Sequence, residues 1–125
     1  MRVLGTSSLS AFVVTANPDE ARKFYENILG LTFVSEDQYA LVFDSQGTTL
    51  RIQKIPEVDP RAFTVLGWHV EDIAAAVAAL VAKGVQFELY DYMHPDELGI
   101  VTFEGGAKVA WFKDPDGNLL SLDQY

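Results

Sequence analysis

The chain has 125 residues and a mass of 13.8 kDa, room for one domain or two very small repeats around a real core. It has no cysteine, which excludes disulfides, cysteine-ligated metal centres and thiol nucleophiles. With 9 basic against 18 acidic residues the net charge is −9, and no run of Lys and Arg offsets it, so nucleic acids and anionic membranes are not expected partners. No apolar run approaches the roughly 20 residues of a membrane span. The start, Met1 to Thr6, lacks the apolar region of a signal peptide, and a cytoplasmic protein is expected.

Residues 8–15 are rich in β-branched and apolar types and predict a buried strand. Asn17, Pro18 and Glu20 predict a helix start: Asn17 as cap, Pro18 at the first helical position, Glu20 reaching back. Ala21, Phe24, Tyr25, Ile28 and Leu29 then share one helical face, and Gly30 supplies the left-handed stop. Strands are predicted at 31–36, 39–44 and 48–54, with turns near Asp37-Gln38 and at Asp44 to Gly47. Pro56 to Pro60 is a short stiff linker.

A strand over 63–70 follows, then a helix over 73–83 capped by Asp72, with Ile73, Val77, Leu80 and Val81 on one face and Gly84 ending it. Strands are expected at about 85–91, 107–113 and 118–124. Residues 92–106, with Pro95, Gly99 and Gly105-Gly106, read as a mobile loop with a short strand at 100–103 as an option.

The two helix-ending glycines, Gly30 and Gly84, are 54 residues apart. Leu31-Thr32-Phe33 follows the first and Val85-Gln86-Phe87 the second. The order of elements repeats with them. The expectation is an α+β fold in a single domain, 1–125, of two βαβββ modules at about 7–55 and 62–125. Each helix would cover one side of its sheet, and the sheets would curve around one cavity. A single α+β sandwich with coincidental spacing is the alternative.

Three segments carry a family resemblance: Ala21 to Leu31, Val70-Glu71-Asp72-Ile73 and Asp114-Pro115-Asp116-Gly117-Asn118. In this order they make the chain resemble the vicinal oxygen chelate superfamily, the glyoxalase, bleomycin-resistance and extradiol dioxygenase family. The resemblance implies four strand positions that hold one divalent ion in the metalloenzymes. Counted from the motifs, they fall on Ser10, Arg51, Val65 and Ser121. Valine has no lone pair, arginine repels a cation and serine is a poor neutral ligand, so no metal and no cofactor are expected.

If those four point inward, residues two apart along each strand share their face. Phe12, Val14, Thr49, Gln53, Gly67, His69, Leu119 and Asp123 are then inward. Leu66, Trp68 and Val70 face the helix. Counting back from Asp114 places Trp111 inward too. The expected ligand-binding set is Ser10, Phe12, Arg51, Gln53, Val65, His69, Trp111, Ser121 and Asp123. Apolar walls with a few directional polar groups are the usual makeup of a small-molecule pocket.

Arg51 needs an acidic partner, either a ligand or an ion pair with Asp123 or Glu104 that closes a vestigial site. His69 is a candidate general acid or base with no orienting partner evident; a lone strand histidine is more often structural, and His94 reads the same way. Tyr90 and Tyr92 could wall the pocket or stand as exposed edge tyrosines.

The function expected is a metal-free protein that binds a small organic molecule. An enzyme of the same superfamily, a glyoxalase-type lyase or a dioxygenase-like protein with or without metal, is one alternative. A regulatory module with a vestigial cavity is another. Relatives commonly pair, and a homodimer is expected.

Overall fold

The structure, a computed structural model, describes residues 2–125. The chain forms two compact units, a first ending at Val58 and a second spanning Asp59–Tyr125.

The first unit begins with β1 (Ser10–Thr15), then α1 (Pro18–Arg22), which runs on as a π-helical turn, Lys23–Ile28. Strands β2 (Thr32–Glu36), β3 (Ala40–Ser45) and β4 (Thr48–Lys54) complete it. They form one four-stranded sheet in the order β1-β4-β3-β2, with β1 and β4 parallel and the other pairs antiparallel. Alternation decides the faces. Val13, Leu41, Phe43, Leu50 and Ile52 are buried, and Tyr25 of the π-helical turn meets Phe43 with ring centroids 6.1 Å apart. Phe24 packs edge-on against Tyr25 at 5.3 Å. The wider turn, in which Leu29 N–H donates to the Phe24 carbonyl, accompanies the burial of two successive aromatics.

The second unit has β5 (Thr64–His69), α2 (Ile73–Ala82), a 3-10 turn at Asp91–Met93, β6 (Val101–Thr102), β7 (Lys108–Lys113) and β8 (Leu119–Gln124). Its sheet order, β5-β8-β7-β6 with β5 and β8 parallel, repeats that of the first unit. The chain is therefore α+β with two βαβββ modules, as the repeated glycine stops predict. α2 packs on β7 and β8, where Ile73 and Val77 meet a layer of buried side chains including Ala110, Phe112, Leu120 and Leu122.

Local chemistry explains the boundaries. Gly30 and Gly84 take φ of 79° and 94°, and the Asp72 carboxylate accepts from the Ala75 N–H at 3.0 Å as an N-cap. The β3–β4 hairpin turns on Gln46 and Gly47, both at positive φ, the pairing that matches strand twist.

Three expectations are corrected. Asn17 makes no side-chain cap bond; its own N–H donates instead to Thr15 Oγ1 at 3.0 Å, so Pro18 alone sets the start. Val81 is 50% exposed, because the buried stripe of α2 runs through Ile73 and Val77 and turns past it. The strand at 85–91 shrinks to one bridge, Phe87 with Phe112, plus the Glu88 N–H to Trp111 carbonyl bond at 2.8 Å. Beyond it the chain leaves β7 for the 3-10 turn, and β6 takes up the edge again beside Lys108 and Val109. Within 92–106 the optional short strand at 100–103 forms as β6, and before it Asp96 Oδ1 accepts from the Leu98 and Ile100 N–H groups, both at 2.9 Å.

Candidate functional site

On the first sheet, register places Phe12, Arg51 and Val42 side by side on β1, β4 and β3. Ser10 and Thr49 lie one row to one side, and Val14 and Gln53 one row to the other. This is the face opposite Phe43 and Ile52. Phe12 is 51% exposed, and Arg51 is half-buried between Phe12 and Val42. The Arg51 guanidinium makes no hydrogen bond or ion pair among the described residues. Five fixed N–H donors therefore sit at the centre of a partly apolar face without a protein acceptor.

The Asp37 carboxylate at the β2–β3 turn accepts from the Tyr39 and Ala40 N–H groups at 2.8 and 2.9 Å. These bonds hold it below its usual 3.8 against an opposing effect of desolvation, and the charges of Arg51 and Lys54 add smaller lowering effects. A depressed folded-state value contributes stability above the unfolded value, lost as pH falls through the folded one. NMR titration should find the Asp37 carboxyl below 3.8, and Asp37→Asn should remove its share of the acid-limb dependence. A measured value at or above 3.8 would contradict the turn geometry.

On the second sheet, Gly67, Ser121 and Trp111 form one row across β5, β8 and β7, and His69, Asp123 and Val109 the next. A Cβ on Gly67 would lie 2.6 Å from Ser121 Oγ, so the glycine makes room for the serine side chain. The Trp111 indole N–H donates to Thr64 Oγ1 at 3.0 Å, and the Tyr90 ring meets the indole edge-on at 5.5 Å. Tyr92 lies 6.1 Å from Tyr90 and is itself mostly exposed. Burial first, and then the Glu88 charge, raises the Tyr90 hydroxyl above its usual 10.0, so it stays a neutral donor.

His69 Nδ1 lies 3.0 Å from Asp123 Oδ1, and its ring stacks on Tyr125 at 5.1 Å with 17° between planes. Asp123 thus has His69 as its partner, and the orienting group that the sequence left unassigned for His69 is a carboxylate on the neighbouring strand. Parity had put both residues on one face; the parallel β5–β8 register puts them opposite each other.

Val65 is displaced from its expected role. The β5–β8 ladder pairs Thr64 with Leu119 and Leu66 with Leu120, so Val65 is the unpaired residue of a bulge. Thr64 takes the position beside Trp111. Strand alternation alone could not reveal this, because a bulge shifts parity by one.

The residues at the four motif-counted positions do not suit a divalent cation. In the first unit Ser10 stands with a cationic Arg51, and in the second a bulged Val65 with Ser121 leaning over Gly67. No group of three or more His, Asp or Glu converges among the described residues. None of their helices is long and apolar enough to cross a membrane.

Paired βαβββ modules, each with a parallel β1–β4 or β5–β8 crossover and one open sheet face, define the vicinal oxygen chelate class of folds. The chain belongs to the Glyoxalase/Bleomycin resistance protein/Dioxygenase superfamily, whose family model matches residues 8–122. Among solved structures it is similar to TnmS3, an antibiotic binding protein from Streptomyces sp. CB03234, at 22% identity, covering 98% of each chain with a TM-score of 0.74. It is also similar to a lactoylglutathione lyase from Agrobacterium tumefaciens at 14% identity, covering 95% of this chain and 93% of that one, TM-score 0.73. A superfamily member from Sphaerobacter thermophilus DSM 20745 is 21% identical over 96% and 98% of the chains, TM-score 0.74. At these identities the likeness is one of fold. A search of curated proteins returns no match.

Proposed function

We propose that the protein binds a small organic acid without a metal, and that Arg51 is the anchor for its acidic group. The observation that carries this reading is the half-buried guanidinium at the centre of the open β1-β4-β3 face, with no acceptor among the described residues. A planar fork of donors matches a carboxylate in two parallel hydrogen bonds. The Phe12 ring beside it would cover an apolar or aromatic part of the ligand, with Gln53 and Ser10 as further polar contacts on the same face. On the second unit, Trp111 offers a comparable aromatic surface beside the exposed Gly67, whereas Ser121 is buried. The likeness to an antibiotic binding protein supports binding as the task of such a face.

The test is a thermal-shift screen of aromatic and aliphatic carboxylic acids. A true ligand at 100 times its Kd should add about 2.7 kcal/mol of stability. Arg51→Met should then weaken the hit by about 1.5–3 kcal/mol, the range for hydrogen bonds to a charged group, with the unliganded melting curve nearly unchanged. Equal affinity in wild type and Arg51→Met would remove Arg51 from the site.

A further inference from the structure

We propose that His69 is a proton acceptor for the acidic hydroxyl of a phenol or enol bound on the open face of the second unit's sheet. This goes beyond the organic-acid reading, since it uses residues of the second unit alone and no part of Arg51.

Three contacts define what the imidazole can do. Its Nδ1 lies 3.0 Å from Asp123 Oδ1, and an ionised carboxylate can only accept. The ring proton of neutral His69 is therefore on Nδ1, which leaves a lone pair on Nε2. Tyr125 covers one flat side of the ring, at 17° from parallel. The side chain is still 57% exposed, so a ligand can reach the ring. Asp123, at 24% exposure, accepts from Nδ1–H and so fixes the orientation of the ring. The other titratable group against the ring is the Tyr125 hydroxyl.

The surface beside His69 suits a flat ligand. Gly67, two residues along β5, bears no side chain, and only the small Ser121 side chain lies over it. One further strand across, Trp111 is held by Thr64 and Tyr90. Strands are about 4.8 Å apart, so the Trp111 strand lies roughly 10 Å from that of His69, a span for one aromatic ring and its substituents. The ring would rest on the Gly67–Ser121 floor against Trp111, with its hydroxyl directed at Nε2.

The step is one proton transfer. The ligand O–H bond breaks, the proton moves to Nε2, and the electron pair stays on the ligand oxygen as an oxyanion beside the imidazolium. Return of the proton restores both partners, and no other reactant is needed.

p-Nitrophenol reports this step, because its phenolate absorbs apart from its neutral form. At a pH where the free probe is mostly neutral, titration with wild-type protein should develop the phenolate band. His69→Gln should abolish the band, and Asp123→Asn should weaken the association by about 10-fold or more. Nitrogen NMR shifts of the wild-type protein should place the neutral-form proton of His69 on Nδ1, with Asp123→Asn moving it towards Nε2. The proposal is overturned by binding with a neutral-phenol spectrum, by no binding, by a band that survives His69→Gln, or by a wild-type His69 protonated on Nε2.

Discussion

Phe112→Ala is expected to lower the unfolding free energy by about 3–5 kcal/mol, while Trp111→Ala, its neighbour on the same strand, costs only about 0.5–1.5 kcal/mol. The two side chains leave β7 on opposite faces. Phe112 is 0% exposed, its ring is 5.2 Å from that of Phe87, and its backbone pairs with Leu120 and bridges Phe87. Truncation removes a large apolar area and leaves a cavity that the strand pairing on both sides prevents from collapsing. Trp111 is half-buried, and its indole is held by one hydrogen bond and one edge-on ring, so truncation leaves chiefly the Thr64 hydroxyl to be rehydrated by water. A domain of this size is stable by only about 5–15 kcal/mol, so the Phe112 variant should show a much lower denaturant midpoint at similar slope. The reverse order of midpoints would mean that the faces of β7 are exchanged, and the open-face reading of Trp111, Ser121 and Asp123 would fall with it.

That contrast shows where the sequence is informative. The alternation of Val13, Leu50 and Ile52 with Phe12, Arg51 and Gln53 carries the face assignment of the first sheet, because a strand with one buried face must alternate. Gly30, Gly84 and Asp72 mark helix ends through backbone chemistry that needs no partner elsewhere in the chain. What failed depends on long-range pairing. Residues 85–91 have strand-like composition, yet only Phe87 and Glu88 find β7 before the chain turns away at Asp91. The bulge at Val65 is set by the β5–β8 register, which no local pattern encodes. The same register makes His69 and Asp123 partners over 54 residues of separation. The candidate residues are therefore legible as sets that share a sheet face, whereas the pairs His69 with Asp123 and Trp111 with Thr64 emerge only from the folded chain.

Asp114→Ala should destabilise the protein by about 2–5 kcal/mol, through loss of two buried hydrogen bonds from Asn118 to a charged acceptor. Asp114 is 6% exposed in the loop between β7 and β8. Its Oδ1 accepts from the N–H groups of Asp116 at 3.0 Å and Asn118 at 2.9 Å, and its Oδ2 from Asn118 Nδ2 at 2.8 Å. Asn118 is equally buried, so water cannot easily replace the carboxylate for that residue, whereas the half-exposed Asp116 N–H can be rehydrated. Asp114→Asn separates charge from shape. Its oxygen can still accept from the backbone, but its NH₂ would face Asn118 Nδ2, donor against donor, and about 1–3 kcal/mol should be lost. The loop also fixes β8. Gly117 takes φ of 88°, and a Cβ there would lie 3.2 Å from the Pro60 ring, so the turn has one close-packed arrangement. Loosening it should disturb the start of β8 and, four and six residues on from Gly117, the Ser121 and Asp123 positions. The readout is therefore double: a lower denaturant midpoint, and a His69 ring whose Nδ1–H signal weakens as Asp123 loses its place. An Asp114→Ala protein with an unchanged midpoint would show that solvent reaches Asn118, and that the turn is held by its backbone bonds between Asp114 and Gly117 or Asn118 instead.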